Sequence, residues 1–154
     1  MAVINDSLMA AIVADVKTLT ESGLDDSFVE RVIKRLGSLG YDVTQADAEE
    51  IAFCATKVVQ DIYNYCNITE LPKGAVFVAV NMVCGEFFQA KYNSGLLSLE
   101  GLSSSGSLSS VKLGDTQVSF NSDSVSDDDK IQGLISSLIG NWKGALECFR
   151  RMRF

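Results

Sequence analysis

TQADAEEIAFCATKVVQDIYNYC, residues 44–66, and PKGAVFVAVNMVCGEFFQAKY, residues 72–92, decide the architecture of this chain. Thr44 followed three residues later by Asp47 has the form of a capping box, in which two side chains satisfy backbone N–H groups at a helix start. Ile51, Ala55, Val58, Ile62 and Tyr65 then recur at helical spacing up to about Cys66. Asn67 to Leu71 make a short connection, and Pro72 stands where a first helical turn tolerates it. In the second stretch Val76, Ala79, Val80, Val83, Phe87 and Ala90 keep the period, while Phe77, Val78, Met82 and Phe88 widen the stripe. A helix this apolar is central and buried on more than one side. The short link between the two predicts an antiparallel helical hairpin.

Toward the N-terminus, Leu8, Met9, Ile12, Val13, Val16 and Leu19 predict a helix over about Ser7–Thr20, capped by Asp6 or Ser7. Phe28, Val29, Val32, Ile33 and Leu36 predict another from Asp25 or Asp26, ended by Gly37 or Gly40. Toward the C-terminus the composition changes. Residues 93–110 hold eight serines and three glycines, too little apolar surface to offset the entropy of ordering, so they read as a mobile loop. Over 111–120, Val111 and Leu113, then Val118 and Phe120, alternate with polar residues around Gly114-Asp115, a β-hairpin signal. A long stripe from Ile131 to Phe149, with Ser126 and Asp129 as its cap, predicts a last helix over 127–151. The expected fold is mainly α: one domain over 1–154, a small bundle of about five helices with one hairpin after the Ser/Gly-rich loop.

Composition excludes several functions. The chain has 154 residues, 47% of them hydrophobic, and carries 13 basic against 20 acidic residues for a net charge of −7. That balance argues against a phosphate grip and against an anionic membrane surface. No basic-then-apolar leader and no apolar run of spanning length is visible, so a cytoplasmically made, soluble chain is expected. There is no histidine, which removes the commonest general base near neutral pH. Cys54, Cys66, Cys84 and Cys148 stand singly, and in a reducing compartment read as small buried hydrophobes rather than metal ligands. Asp123 and Asp127 to Asp129 lack the register of a calcium loop and suit a helix N-terminus instead. No catalytic, metal or cofactor-binding residues are therefore assigned.

Two places invite partners. Two short strands cannot make a stable sheet alone, so Val111, Leu113, Val118 and Phe120 are candidates for a subunit interface, a flap folded on its own helices being the plainer alternative. At the end of the chain Phe149, Arg150, Arg151, Arg153 and Phe154 interleave aromatic and basic groups. They serve either as a helix end that complements the dipole or as a docking point for an acidic partner.

From Ile33 onward the motifs come in a familiar order: Ile33-Lys34-Arg35-Leu36-Gly37 with Leu39-Gly40-Tyr41; Asp47-Ala48-Glu49; Ile62-Tyr63-Asn64-Tyr65-Cys66-Asn67; Leu71-Pro72-Lys73-Gly74; Met82-Val83-Cys84-Gly85-Glu86-Phe87. The serine-rich loop, Lys112 to Phe120 and the ending Phe149-Arg150-Arg151-Met152-Arg153-Phe154 complete it. In succession these resemble the head–tail connector, or head-completion, proteins of tailed bacteriophages. The resemblance covers about four-fifths of the chain by length; the N-terminal helix, within 1–25, lies outside it. The family often ends in Trp where this chain has Phe154.

The resemblance implies a non-enzymatic virion protein at the head–tail interface, made in the bacterial cytoplasm. It implies a ring of roughly a dozen copies, each meeting the next through two different faces. The portal and a downstream neck or tail protein would be partners, and DNA would pass through without specific binding. About twelve copies at −7 each give roughly −84, a field that repels DNA rather than holding it. Two other roles stay open: a generic helical adaptor, or another neck protein such as a stopper or tail-terminator.

Overall fold

The computed structural model describes residues 5–20, 24–98, 102, 110–113, 116–119 and 126–152, the side chains of 110–119 excepted. The fold is mainly helical. Helix α1 spans Asp6–Leu19, α2 Asp26–Ser38, α3 Ala48–Cys66, α4 Val76–Asn93, α5 Asp127–Ile139 and the short α6 Trp142–Leu146. The backbones of β1, Ser110–Leu113, and β2, Thr116–Ser119, pair antiparallel. Both strands lie against α5; their turn and side chains lie outside the described residues. No helix among the described residues is long and apolar enough to cross a membrane.

Helices α1, α2 and α5 each start on a side-chain acceptor. Asn5, one residue ahead of the expected Asp6 or Ser7, accepts from the Ser7 N–H, and Asp25 accepts from the Ser27 N–H. Ser126 accepts from the Asp129 N–H. The capping box at Thr44 forms, but its first turn is a 3-10 turn, Gln45–Asp47, ahead of α3. Helix α2 runs through Gly37 and ends at Ser38. Gly40, at φ 90°, takes the left-handed turn, so that the Tyr41 N–H bonds the Leu36 carbonyl and the Gly40 N–H bonds the Gly37 carbonyl. Those two bonds satisfy carbonyls that the end of a helix would otherwise leave open.

Helix α4 is the centre. Ala79, Val80, Met82, Val83, Cys84, Gly85, Phe87 and Phe88 are all buried, and α2, α3 and α5 each pack on it. Helix α3 is antiparallel to α4, with Asp47 opposite Lys91 and Lys57 opposite Glu86. Helix α2 runs parallel to it, as Arg31 lies over Phe77, Arg35 bonds Asn81, and Tyr41 meets Phe87 edge-on. Helix α5 lies so close that a Cβ on Gly85 would fall 3.0 Å from the Leu138 Cβ and closer still to Ile139 Cγ1.

One polar cluster sits in this apolar setting. Asp47 is 3% exposed. Lys91 reaches it at 2.7 Å, the Thr44 N–H at 2.9 Å and the Tyr41 hydroxyl at 3.2 Å. Burial acts to raise the Asp47 carboxyl, but the Lys91 ammonium and the Thr44 hydrogen bonds outweigh it and hold the group below its ordinary 3.8. Burial, with the Asp47 charge alongside, pushes the Tyr41 hydroxyl well above its usual range.

The fold departs from sequence expectation in the last helix and in the Ser/Gly-rich stretch. The last helix is not continuous over 127–151. It stops at Ile139, where a Cβ on Gly140 would fall 2.5 Å from the Ser136 carbonyl oxygen and Asn141 leaves helical geometry at φ −126°, ψ 30°. The chain then makes α6 and a 3-10 turn, Glu147–Phe149. The Ser/Gly-rich stretch also begins differently. Helix α4 ends in a left-handed turn at Gly95, and Leu97 and Leu102 are buried in the core. Two leucines at the right distance outweigh the weak composition around them.

Removing one partner of a buried ion pair leaves an uncompensated charge, so Lys91→Met costs about 3 kcal/mol by urea unfolding at pH 7. Because the folded Asp47 carboxyl titrates below its unfolded value, its stabilisation is complete above about pH 4 and is lost as pH falls through the folded value. Asp47→Asn removes that part of the acid limb in a pH series of unfolding curves. Gly85→Val, driven into Leu138 and Ile139, costs about 2 kcal/mol and lowers the thermal midpoint.

Candidate functional site

The sequence candidates fall into two groups. Of the interface set, Val111, Leu113 and Val118 have a described backbone only, and Phe120 lies outside the described residues. Of the docking set, Arg153 and Phe154 lie outside them, while Phe149, Arg150 and Arg151 come together against the end of α3.

That meeting is built from backbone upward. Helix α3 ends at Asn67, which takes the left-handed conformation at φ 55° and turns the chain away. The carbonyl of Cys66 is one of the orphan acceptors every helix end leaves. It accepts from the Arg151 N–H at 2.8 Å, and the Asn67 side-chain amide donates to the Arg151 carbonyl at 3.4 Å. The segment after the 3-10 turn is therefore held on both sides of Arg151. Arg150 lies over the Tyr65 ring, 4.9 Å from its centre, and the half-buried Trp142 meets the same ring edge-on at 5.2 Å. Phe149 packs so tightly over Gly74 that a Cβ there would fall 2.8 Å from its Cζ. The segment thus bridges the last turn of α3 and the first turn before α4.

This arrangement corrects the electrostatic expectation. The arginines do not compensate the dipole of the helix that contains the long stripe, because that helix ends at Ile139. The carbonyl end they complement is that of α3, reached through space. Two concavities flank them. One, of about 330 Å³, is lined by Ile68, Glu70, Cys148, Phe149, Arg150 and Arg151. The other, of about 680 Å³, is lined by Asn64, Tyr65, Glu147, Arg150, Arg151 and Met152. Both are open, and Met152 is 81% exposed. The surface offers cationic donors beside apolar faces, which suits docking to an acidic or carboxylate-bearing partner.

The cysteines divide as well. Cys54, Cys66 and Cys84 are buried, but Cys148 is exposed, against the expectation that all four are core residues. Burial pushes the Cys54 and Cys84 thiols up to about 12 and raises Cys66. The Cys66 thiol, beneath the C-terminal segment, points at the Leu146 carbonyl at 3.7 Å. Among the described residues no three His, Cys, Asp or Glu side chains gather as a metal site. Tyr65, Asn67 and Gly74 were missed as parts of this end. A small residue after Pro72 and an Asn directly after a helical stripe were the available signals.

With maleimide, native protein is expected to be labelled at Cys148, with Cys54, Cys66 and Cys84 protected. Gly74→Val, by displacing Phe149, speeds labelling of Cys66 roughly tenfold, equivalent to about 1.4 kcal/mol of lost docking. Mass spectrometry of peptides resolves each site.

Compared with known proteins, the chain matches no family model, no curated protein and no solved structure.

Proposed function

We propose that this chain is a structural subunit of a tailed-phage neck ring, joining the portal of the capsid to the tail and extending the DNA channel. The observation that supports the reading best is the tethered C-terminal end. An assembly protein needs its partner-binding groups fixed before the partner arrives, since ordering them on contact costs affinity. Here Arg150 is held on Tyr65 and Arg151 is anchored by its backbone to Cys66, while both residues stay exposed. The resemblance carried by the order of motifs from Ile33 to Phe154 is the ground for proposing the portal on one side and a downstream neck or tail protein on the other.

In this reading the helical bundle keeps its shape and performs no chemistry. The C-terminal end docks, and the hairpin segment with Val111, Leu113, Val118 and Phe120 reaches the neighbouring subunit. DNA slides past walls of mainly negative charge without specific contacts. The second reading, a helical adaptor with a cellular partner, draws on the same docking end but predicts no ring.

The test is the mass of the purified protein by light scattering, across concentration and with a cognate portal. Rings of roughly a dozen subunits, alone or templated by the portal, are the expected result. Arg150→Glu with Arg151→Glu is expected to weaken portal capture by roughly 10- to 100-fold without loss of helicity. A monomer that ignores the portal at every concentration would favour the adaptor.

A further inference from the structure

The two ends of the bundle carry opposite charge around an exposed apolar residue. Phe77, in the first turn of α4, is 70% exposed and is flanked by Arg31 on α2, whose guanidinium stands 5.6 Å from the ring centre. Lys73 precedes it by one helical turn and is exposed. Phe149, stacked on Gly74, brings Arg150 and Arg151 to this same end, and Lys143 joins them over Trp142. Among the described residues, Asp25, Glu70 and Glu147 are the exposed acids that interrupt the patch. Asp26 and Glu30 are already paired, with Lys17 and Lys34.

The other end lies sixteen residues further along α4, roughly 24 Å away. Leu96 follows the left-handed turn at Gly95 and is 70% exposed. The Asp47–Lys91 pair places the start of α3 here, with Asp42 and Glu49 exposed. Helix α5 runs antiparallel to α4: Ile139 faces Gly85, while Gln132 and Ile135 lie across a cleft from Gln89. Its first turn therefore lies at this end, and Asp127, Asp128 and Asp129 are exposed there. Among the described residues Lys130 pairs with Asp127 at 3.7 Å, and Lys91 is taken up by Asp47.

We infer that the Arg31–Phe77 end of one copy receives the Leu96 and Asp127–Asp129 end of another, an end-to-end heterologous contact. Phe77 and Leu96 supply the apolar centre, and the charges around them are of opposite sign and form its rim. One surface occupies the other without self-complementarity, so the contact closes into a ring or continues as a filament according to the rotation between copies. The inference rests on the self-association in the proposed function, not on the portal; it adds these ends to the hairpin as a contact between copies, with Arg31 and Phe77 facing the next copy and Arg150 and Arg151, at the edge of the patch, left to the portal.

The test is sedimentation of the full-length chain at about 50 mM and about 500 mM salt, conditions that separate weakly from strongly screened charge. Wild type is expected to self-associate and to do so more weakly at high salt. Phe77→Ser and Arg31→Glu each weaken association about tenfold or more, and Arg31→Glu with Asp128→Arg restores at least part of it. Circular dichroism confirms that each exposed substitution leaves the fold intact. Association undiminished in Phe77→Ser and Arg31→Glu, or unrestored in the double variant, overturns this contact and leaves the ring reading standing on another face. A wild type that is monomeric alone yet forms rings on the portal also overturns it. A wild type that is monomeric in both conditions overturns both.

Discussion

The Asp47 carboxylate is the point on which the bundle turns. It closes the first turn of α3 through Thr44, takes the Tyr41 hydroxyl from the connection after α2, and pairs with Lys91 near the end of α4. The stretch from Tyr41 to Asp47 and the distant end of α4 are thereby set in one register. Hydrophobic burial alone would let α3 and α4 slide by a turn at modest cost, since apolar stripes are tolerant of register. A buried charge is not tolerant, because any displacement leaves it without a partner in a low-dielectric setting. The aromatic rings reinforce the same point: Lys91 lies 5.3 Å from the Phe87 ring centre, and Tyr41 meets both Phe87 and Phe88 edge-on.

From that fixed register the rest follows in order. Helix α4 presents one side to α3, another to α2 and, through Gly85, a close approach to α5. The far ends of α3 and α4 then define a platform on which the C-terminal segment lies. The proposed docking end owes its position to a chain of contacts that begins with a carboxylate at the opposite pole.

Much of this was legible in the residues. The capping box at Thr44 and Asp47, the stripes of α1 to α5 and the all-round apolarity of α4 report local geometry, and local geometry is what periodicity encodes. What could not be read was tertiary. Asp47 looked like half of a cap, and nothing along the chain linked it to Lys91. Arg31 and Phe77 are separated by an entire helix and its connections, so their stacking leaves no local trace. The stripe from Ile131 to Phe149 kept helical spacing through Gly140 and Asn141 because Trp142, Leu146 and Phe149, after the break, still pack on the core. The period survived although the helix did not. Leu97 and Leu102 were hidden by the serines around them, since composition averages over the very side chains that bury. At the docking end the interleaved aromatics and arginines were visible, but their acceptor, the Cys66 carbonyl, belongs to the backbone and has no sequence signature.

The break at Gly140 also sets where a load on the chain end is borne. A straight helix over 127–151 would be roughly 37 Å long, against about 27 Å for α4, and would carry its last turns clear of the bundle. Folding back at Asn141 instead lays the end of the chain across α3. Tension applied at Met152 therefore reaches the last turn of α3 first, through the Arg151–Cys66 bond, and leaves α5 slack. The end of this chain behaves as a strap fastened to a neighbouring beam rather than as the tip of its own rod.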